Sequence, residues 1–239
     1  MKRISLFASL ILLVSSLSIL SSCNNAPKSQ EAKVADTVAV VPEETQTTKD
    51  FVIDTSASQV AWIGAAPSSQ HNGTLGILPD SKLMVESGII TGGVITIDMT
   101  DIKVLDIKDN PEKNQKLVNH LKNKDFFAVE TYPTSTFTIT SVEAIDASTI
   151  EIEEGEHTTE NPTHKITGNL KMMDVEKAIT FYANVAIPSE GEVKASAKFN
   201  IDRTEFNVSH MAEGVDVVKD KFINNTVNIG FDISAKAAL

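Results

Sequence analysis

The fold is decided by ITFYANVAI (residues 179–187), VKASAKFNI (residues 193–201) and VNIGFDISA (residues 227–235). In each stretch every second residue is apolar, and the residues between them are mostly polar. Because side chains alternate between the two faces of a β-strand, each stretch would present one apolar face and one wet face. A sheet with one buried and one solvated face is typical of antiparallel strands.

Seven further stretches are strand candidates, and turn residues such as Asn72-Gly73 and Ser87-Gly88 fall between the apolar runs. These candidate strands are residues 59–64, 73–78, 82–86, 93–99, 134–142, 149–153 and 165–172. Short strands at this spacing predict an all-β barrel or sandwich. One helix is predicted at residues 111–123, where Asn110 can cap the first turn and Pro111 suits the first helical position.

The first 22 residues have the layout of a secretory signal peptide. Lys2 and Arg3 supply positive charge, and residues 4–20 form an apolar run interrupted only by serines. The following LSSC resembles the bacterial lipobox, which implies cleavage after Ser22 and attachment of acyl chains such as palmitate to Cys23. Cys23 is the only cysteine in the chain, and several acyl chains on one residue would anchor it stably.

The mature chain is acidic. Removing the signal leaves 19 basic against 32 acidic residues, a formal charge of −13. A nucleic-acid partner is therefore not expected, because phosphate binding needs a basic stripe. With Cys23 lipidated, no cysteine remains for a disulfide, so the exported domain must rely on its own hydrophobic core.

The chain divides into three parts. Residues 1–22 are the signal peptide, and residues 23–50, poor in aromatics and without a sustained period, are expected to be a lipidated flexible tether. Such a coil would reach roughly 30 Å. Residues 51–239 are the folded domain, in which the alternating pattern begins at Phe51.

A family resemblance covers residues 51–239. Its most specific part is HLKNKDFF (residues 120–127) followed by YPTSTF (residues 132–137), with HNGT (residues 71–74) and TGNL (residues 167–170) in support. In order and spacing these motifs resemble those of the YceI-like proteins, often described as polyisoprenoid-binding. The resemblance implies an eight-stranded, lipocalin-like antiparallel barrel whose elongated apolar interior holds an isoprenoid chain.

Two departures from the family pattern concern loops. Members commonly carry glycine soon after the Arg-x-x-Phe element, whereas Phe206 here is followed by Asn207-Val208. The usual Gly-Val-Thr turn is replaced by Met173-Asp174-Val175. The fold is compatible with both changes, and the local loop geometry is what they affect.

A barrel of eight strands is wide enough either to be filled by side chains or to hold one slender ligand. Small residues on the inner faces, such as Ala195 and Ala197, would either leave a channel or fit the taper of the barrel. Trp62 would belong to the core or line the ligand space. If the interior is open, the expected ligand-binding residues are Trp62, Ile179, Phe181, Val185, Val193, Phe199, Val227, Ile229 and Phe231.

His120 and Arg203 are candidates for the barrel mouth. They would either contact a polar head group or orient loops through hydrogen bonds, since the five donors of arginine suit both tasks. The five histidines lack metal-ligand spacing, and the acidic loop between His157 and His164 is either solvated or a loose cation site. No nucleophile, metal-protease or phosphate-loop motif is present. We therefore expect no enzyme activity, no cofactor and no metal.

Two functions remain open at this point. The first is a carrier for an isoprenoid or other long-chain lipid, membrane-anchored in the bacterial cell envelope. The second is an interaction module with a filled barrel, which would bind an envelope protein through loops 144–162 and 207–221. Because Asn24 rather than aspartate follows Cys23, the outer membrane, at its periplasmic face or the cell surface, is favoured over the inner membrane.

Overall fold

The structure, a computed structural model, describes residues 26–40, 47–151, 155, 157–214 and 221–238. The signal peptide and Cys23 lie outside the described residues. The described part contains eleven β-strands, one α-helix and two short 3₁₀ helices. The strands are β1 (Lys33–Ala35), β2 (Lys49–Ile53), β3 (Gln59–Ala66), β4 (Ser69–Ile77), β5 (Lys82–Glu86), β6 (Ile89–Val104), β7 (Thr134–Ala144), β8 (His164–Met172), β9 (Val175–Ser189), β10 (Glu192–Asp202) and β11 (Thr226–Ala237).

Eight of these strands close into an antiparallel barrel, in the order β3, β4, β6, β7, β8, β9, β10, β11 and back to β3. This confirms the expected fold class. β2 and β5 lie beside the ring, where β2 pairs with β11 and β5 pairs with β6 and β2. No helix in the described part of the chain is long and apolar enough to cross a membrane.

The helix α1 (Pro111–Lys122) confirms the single predicted helix. The side chain of Asn110 accepts a hydrogen bond of 2.9 Å from the backbone N–H of Lys113, so it caps the first turn as expected. α1 packs against β6, and Val118 is its buried residue. It follows β6 in the chain, so it lies at the end of the barrel where β6 finishes.

The prediction of a strand at residues 149–153 is wrong at its first residue. Residues Ala147–Thr149 form a 3₁₀ helix instead, capped by the Asp146 side chain, which accepts a hydrogen bond of 2.9 Å from the backbone N–H of Ser148. Short polar side chains of this kind compete with strand pairing by bonding the local backbone. Residues 152–154 lie outside the described residues.

Both loop departures from the family pattern are accommodated by left-handed backbone. Asn207 has φ 61° and Met173, in the turn between β8 and β9, has φ 52°. Glycine adopts this conformation without a steric cost, and asparagine tolerates it better than most other residues. The loops therefore keep a left-handed residue although neither position is glycine.

Residues 26–40, here called the seam segment, differ from the expected flexible tether. β9 and β10 pair only from Ser189 and Glu192 to Asn184 and Ser196, and beyond that point they separate. β1, within the seam segment, pairs with β9 there. On its other side the segment bonds β10: the N–H of Ala32 donates to the carbonyl of Asn200 (2.8 Å), and the N–H of Asn200 donates to the carbonyl of Gln30 (2.8 Å).

The seam segment lies on the barrel for two physical reasons. The separated edges of β9 and β10 offer backbone groups that need partners, and the segment supplies them. Ala32 and Val34 also alternate toward the interior and pack against the hydrophobic core. Only two apolar residues are involved, which is too short a pattern for the sequence to indicate a strand.

Buried polar side chains fix the seam segment in place. Asn200, 3% exposed, donates hydrogen bonds to the carbonyl of Pro27 (3.0 Å) and the carboxylate of Glu31 (3.1 Å). Asn169 makes a reciprocal pair with Val38: its amide donates to the Val38 carbonyl (2.7 Å) and its oxygen accepts from the Val38 N–H (2.9 Å). The segment is thus held at both of its ends.

The Asn200→Ala substitution tests the role of this seam. It removes the buried amide that donates to the half-buried carbonyl of Pro27, so we expect the free energy of unfolding to fall by about 1–3 kcal/mol. Urea denaturation of the full chain measures this. Asn119→Ala, on the exposed face of α1, is the control and should change stability little. Equal midpoints for Asn200→Ala and the wild type would contradict the seam as described.

Candidate functional site

The barrel encloses a cavity of about 390 Å³ in the half that lies toward α1. Its lining is almost entirely apolar, and the polar side chains that reach it, apart from the indole of Trp62, are Ser69, His71, Ser135 and Arg203. Seven of the nine interior residues expected from the sequence line it: Trp62, Ile179, Phe181, Phe199, Val227, Ile229 and Phe231. The interior is therefore open in this half.

Four phenylalanines of the cavity lining pack against one another. Phe181 stacks on Phe199 with ring centroids 4.3 Å apart and meets Phe231 edge to face at 5.6 Å, while Phe137 lies 5.7 Å from Phe181. Aromatic pairs in these arrangements gain energy beyond simple area burial. These four rings form one phenylalanine layer within the lining.

Two glycines make room for the aromatic lining. A Cβ at Gly168 would lie 2.5 Å from the ring of Phe137, and a Cβ at Gly73 would lie 2.7 Å from the indole of Trp62. Gly73 also faces its cross-strand neighbour Trp62 directly. Each glycine belongs to a motif noted in the sequence, HNGT and TGNL, so part of what those motifs specify is ring packing around the cavity.

The remaining two interior residues lie in the filled end of the barrel. Val193 is 0% exposed and pairs with Ala235, which faces Ile53 of β2. Val185, half-buried, packs against the same core. Neither valine lines the cavity, so the structure does not bring them together with the other seven.

The alanines on the inner faces of β9 and β10 belong to the packed end. Ala183 and Ala197 are buried in the core, at 0% and 3% exposure. Neither they nor Ala195 line the cavity. This distribution supports the interpretation that small residues fit the taper of the barrel.

The mouth is framed by α1 and by the loops at the same end. Leu117 and Leu121 of α1, together with Phe126 and Phe127 after it, contribute apolar side chains to the lining. On the far side, Val208 and Ile223 come from the loops around the second 3₁₀ helix (Arg203–Phe206). The lining on both sides of the mouth is therefore mostly apolar.

Arg203, 6% exposed, is committed largely to backbone carbonyls. Its guanidinium donates to the carbonyl oxygens of Asn224 (3.0 Å), Ile223 (2.9 Å) and His210 (3.1 Å), and also to that of Val208. Burial lowers the pKa of Arg203, and the nearby Asp202 carboxylate opposes that change. These contacts support the loop-orienting alternative, although the side chain also borders the cavity.

A second polar contact lies at this end of the barrel. Nδ1 of His71 is 2.7 Å from the Asp106 carboxylate, which also accepts a hydrogen bond of 3.0 Å from the N–H of Asn72. Burial would raise the pKa of Asp106, but these hydrogen bonds hold it below its usual value. His71 thus presents a fixed ring to the lining.

The sequence did not indicate one cluster near the mouth. His120, Asp125 and His210 offer two imidazole nitrogens and one carboxylate oxygen within 4.8 Å of one another. The ring of His120 also packs edge to face on Phe126, with centroids 5.0 Å apart, and His120 itself is not part of the cavity lining. His120 and Asp125 share one motif, but no local spacing connects them to His210.

The Arg203→Lys substitution tests whether this arginine orients the mouth loops. Lysine keeps the charge but cannot reach four carbonyls with one ammonium group, so we expect a loss of stability on the order of 3 kcal/mol. Urea denaturation measures the loss, with Lys103→Arg, at an exposed ion pair with Asp101, as the control. Unchanged stability together with weaker ligand binding would contradict the loop role and favour head-group contact.

Residues 51–235 match the family model of the YceI-like domain. No curated protein matches the chain.

Two solved structures share the fold at low sequence identity. Burkholderia cenocepacia BcnA is 18% identical with a TM-score of 0.52, covering 77% of this chain and 99% of its own. A polyisoprenoid-binding domain from Saccharophagus degradans is 12% identical with a TM-score of 0.52, covering 79% of this chain and 98% of its own. By its family match and its closed barrel, the chain belongs to the YceI-like family.

Proposed function

We propose that this protein is a non-enzymatic carrier that holds a long apolar lipid of isoprenoid type in its barrel. The observation that supports this most is the apolar cavity of about 390 Å³, which lies within the range of roughly 300–1,000 Å³ for small-molecule sites. Nearly all of its lining is hydrocarbon or aromatic. Such a surface gains binding energy by removing an apolar chain from water, at ~25 cal/mol per Å².

The depth of the cavity favours a chain that enters end first. The phenylalanine layer around Phe181 lies away from the mouth, while the polar side chains of Ser69, His71 and Arg203 lie toward it. A ligand with a long hydrocarbon tail and a polar head would match this distribution. The structural neighbour from Saccharophagus degradans, described as polyisoprenoid-binding, supports the isoprenoid class.

The alternative, an interaction module, requires a filled barrel and available loops. The cavity weighs against the first requirement. The described part of loop 144–162 also packs onto the barrel, where Thr159, 6% exposed, accepts a hydrogen bond of 2.8 Å from the N–H of Lys198. We therefore favour the carrier.

Lipidation of Cys23 is part of the proposal. The seam segment shortens the expected distance between the lipid anchor and the barrel. Because the chain already packs on the barrel at Pro27, only a few residues separate Cys23 from the folded domain. Three extended residues span roughly 10 Å, which is shorter than the 30 Å reach of a free tether. The barrel would accordingly lie close to the membrane surface of the cell envelope, where isoprenoid lipids could pass directly into it.

Narrowing the cavity tests the carrier function. Val227→Phe adds a ring to a lining position, so we expect the lipid recovered from the purified full-length protein to fall at least several-fold. Organic-solvent extraction followed by mass spectrometry measures the recovered lipid. Val52→Phe, on the exposed face of β2, is the matched control and should carry as much lipid as the wild type. Equal recovery from all three proteins, or none from any, would contradict the proposal.

Cys23→Ser tests the anchor separately. Without a thiol no acyl chain can be attached, so we expect the protein to move from the membrane fraction to the soluble fraction on cell fractionation, and metabolic palmitate labelling to be lost. Ser22→Ala, which keeps a small residue beside the cysteine, is the control and should remain membrane-bound. A labelled Cys23→Ser protein would show that the lipid is attached elsewhere.

A further inference from the structure

The mouth of the cavity carries a group of three side chains that the carrier function does not use. His120 lies near the end of α1, Asp125 lies in the turn after the helix, and His210 lies in the loop that follows the second 3₁₀ helix. Nε2 of His120 is 3.4 Å from the carboxylate of Asp125, and the rings of His120 and His210 meet with centroids 5.2 Å apart. Two separate parts of the chain therefore converge here.

Neighbouring groups hold each of the three side chains near this position. The ring of Phe126 contacts the rings of both His120 and His210, with centroids at 5.0 Å and 5.1 Å. The Asn123 amide donates to the Asp125 carboxylate at 3.4 Å. The backbone of His210 is fixed by Arg203, which donates to its carbonyl at 3.1 Å. Support of ligand side chains by surrounding hydrogen bonds and packing is typical of metal sites.

We propose that His120, Asp125 and His210 bind a divalent transition-metal ion, with Zn²⁺ as the best match. Two imidazole nitrogens and one carboxylate oxygen are a common ligand set for zinc, whereas Ca²⁺ and Mg²⁺ prefer oxygen ligands alone. Three protein ligands leave a fourth position for water or for another oxygen ligand.

The side chains need only a small rearrangement to close on the ion. Zinc bonds to nitrogen and oxygen are about 2.0–2.2 Å long, so ligand atoms must lie within about 4 Å of one another, against the present span of 4.8 Å. Both histidines are half-buried and Asp125 is exposed, which leaves room for rotation about their side-chain bonds. Phe126 lines the cavity as well, so the ion lies at the rim of the cavity.

Zinc titration of the full-length protein, after dialysis against a chelator, tests this site without reference to any lipid. We expect uptake of one equivalent of Zn²⁺ by isothermal calorimetry. His210→Ala should weaken binding by at least about tenfold, since even the loss of supporting contacts around a metal costs 10–100-fold. His164→Ala, which removes a histidine outside the cluster, is the matched control and should bind as the wild type does.

A second measurement separates loss of ligand from loss of fold. Asp125→Asn keeps the size of an exposed side chain, so it should fold normally by circular dichroism while weakening zinc binding. Cobalt can replace zinc as a probe, and its visible absorption spectrum should change in both cluster variants. Absence of stoichiometric zinc uptake by the wild type would overturn the proposal, as would wild-type affinity in both cluster variants. Because the readout is the metal itself, failure here leaves the lipid carrier proposal unaffected.

Discussion

The structure depends on closing a ring of backbone hydrogen bonds around the barrel. Seven of the eight junctions between neighbouring strands are closed by direct pairing, but β9 and β10 separate beyond Asn184 and Ser196. The seam segment, residues 26–40, fills this gap with its own backbone and with the inward side chains of Ala32 and Val34. A side opening would admit water to the interior, so the apolar cavity requires this segment as much as it requires the eight barrel strands.

The two ends of the barrel interior differ in packing. At the end covered by β2, large and small apolar side chains such as Phe51, Val193 and Ala235 pack without exposure to solvent. The other half of the barrel, which the phenylalanine layer lines, stays open toward α1. In the proposed carrier the packed end supplies stability and the open end supplies the space for the lipid, so one short barrel performs both tasks without a disulfide.

The sequence predicts which side chains face the barrel interior better than it predicts how far along the barrel axis they lie. Alternation in residues 179–187 and 193–201 correctly assigns which side chains face inward, and Trp62 and Phe181 indeed line the cavity. Alternation cannot show how far along the barrel axis a residue lies, which is why Val185 and Val193 were placed in the ligand space. The Thr-Gly-Asn-Leu motif predicts a strand, but it does not reveal that the Asn169 side chain forms a hydrogen bond with the backbone of Val38.

Contacts between distant parts of the chain account for the rest of what sequence reasoning missed. The seam segment has too few apolar residues to be distinguished from a linker, and its position is set by an opening between two strands far along the chain. The grouping of His120 with His210 likewise depends on how α1 and the loop after Phe206 meet at the mouth. Both are products of topology rather than of local pattern.

The carrier proposal requires that the mature barrel has an open interior that carries a lipid. Native mass spectrometry of the whole mature chain, with the seam segment included, tests it most directly. We expect a discrete additional mass that organic solvent releases and that matches an isoprenoid or similar long-chain lipid. A ligand-free mass that stays unchanged after incubation with isoprenoid lipids would contradict it.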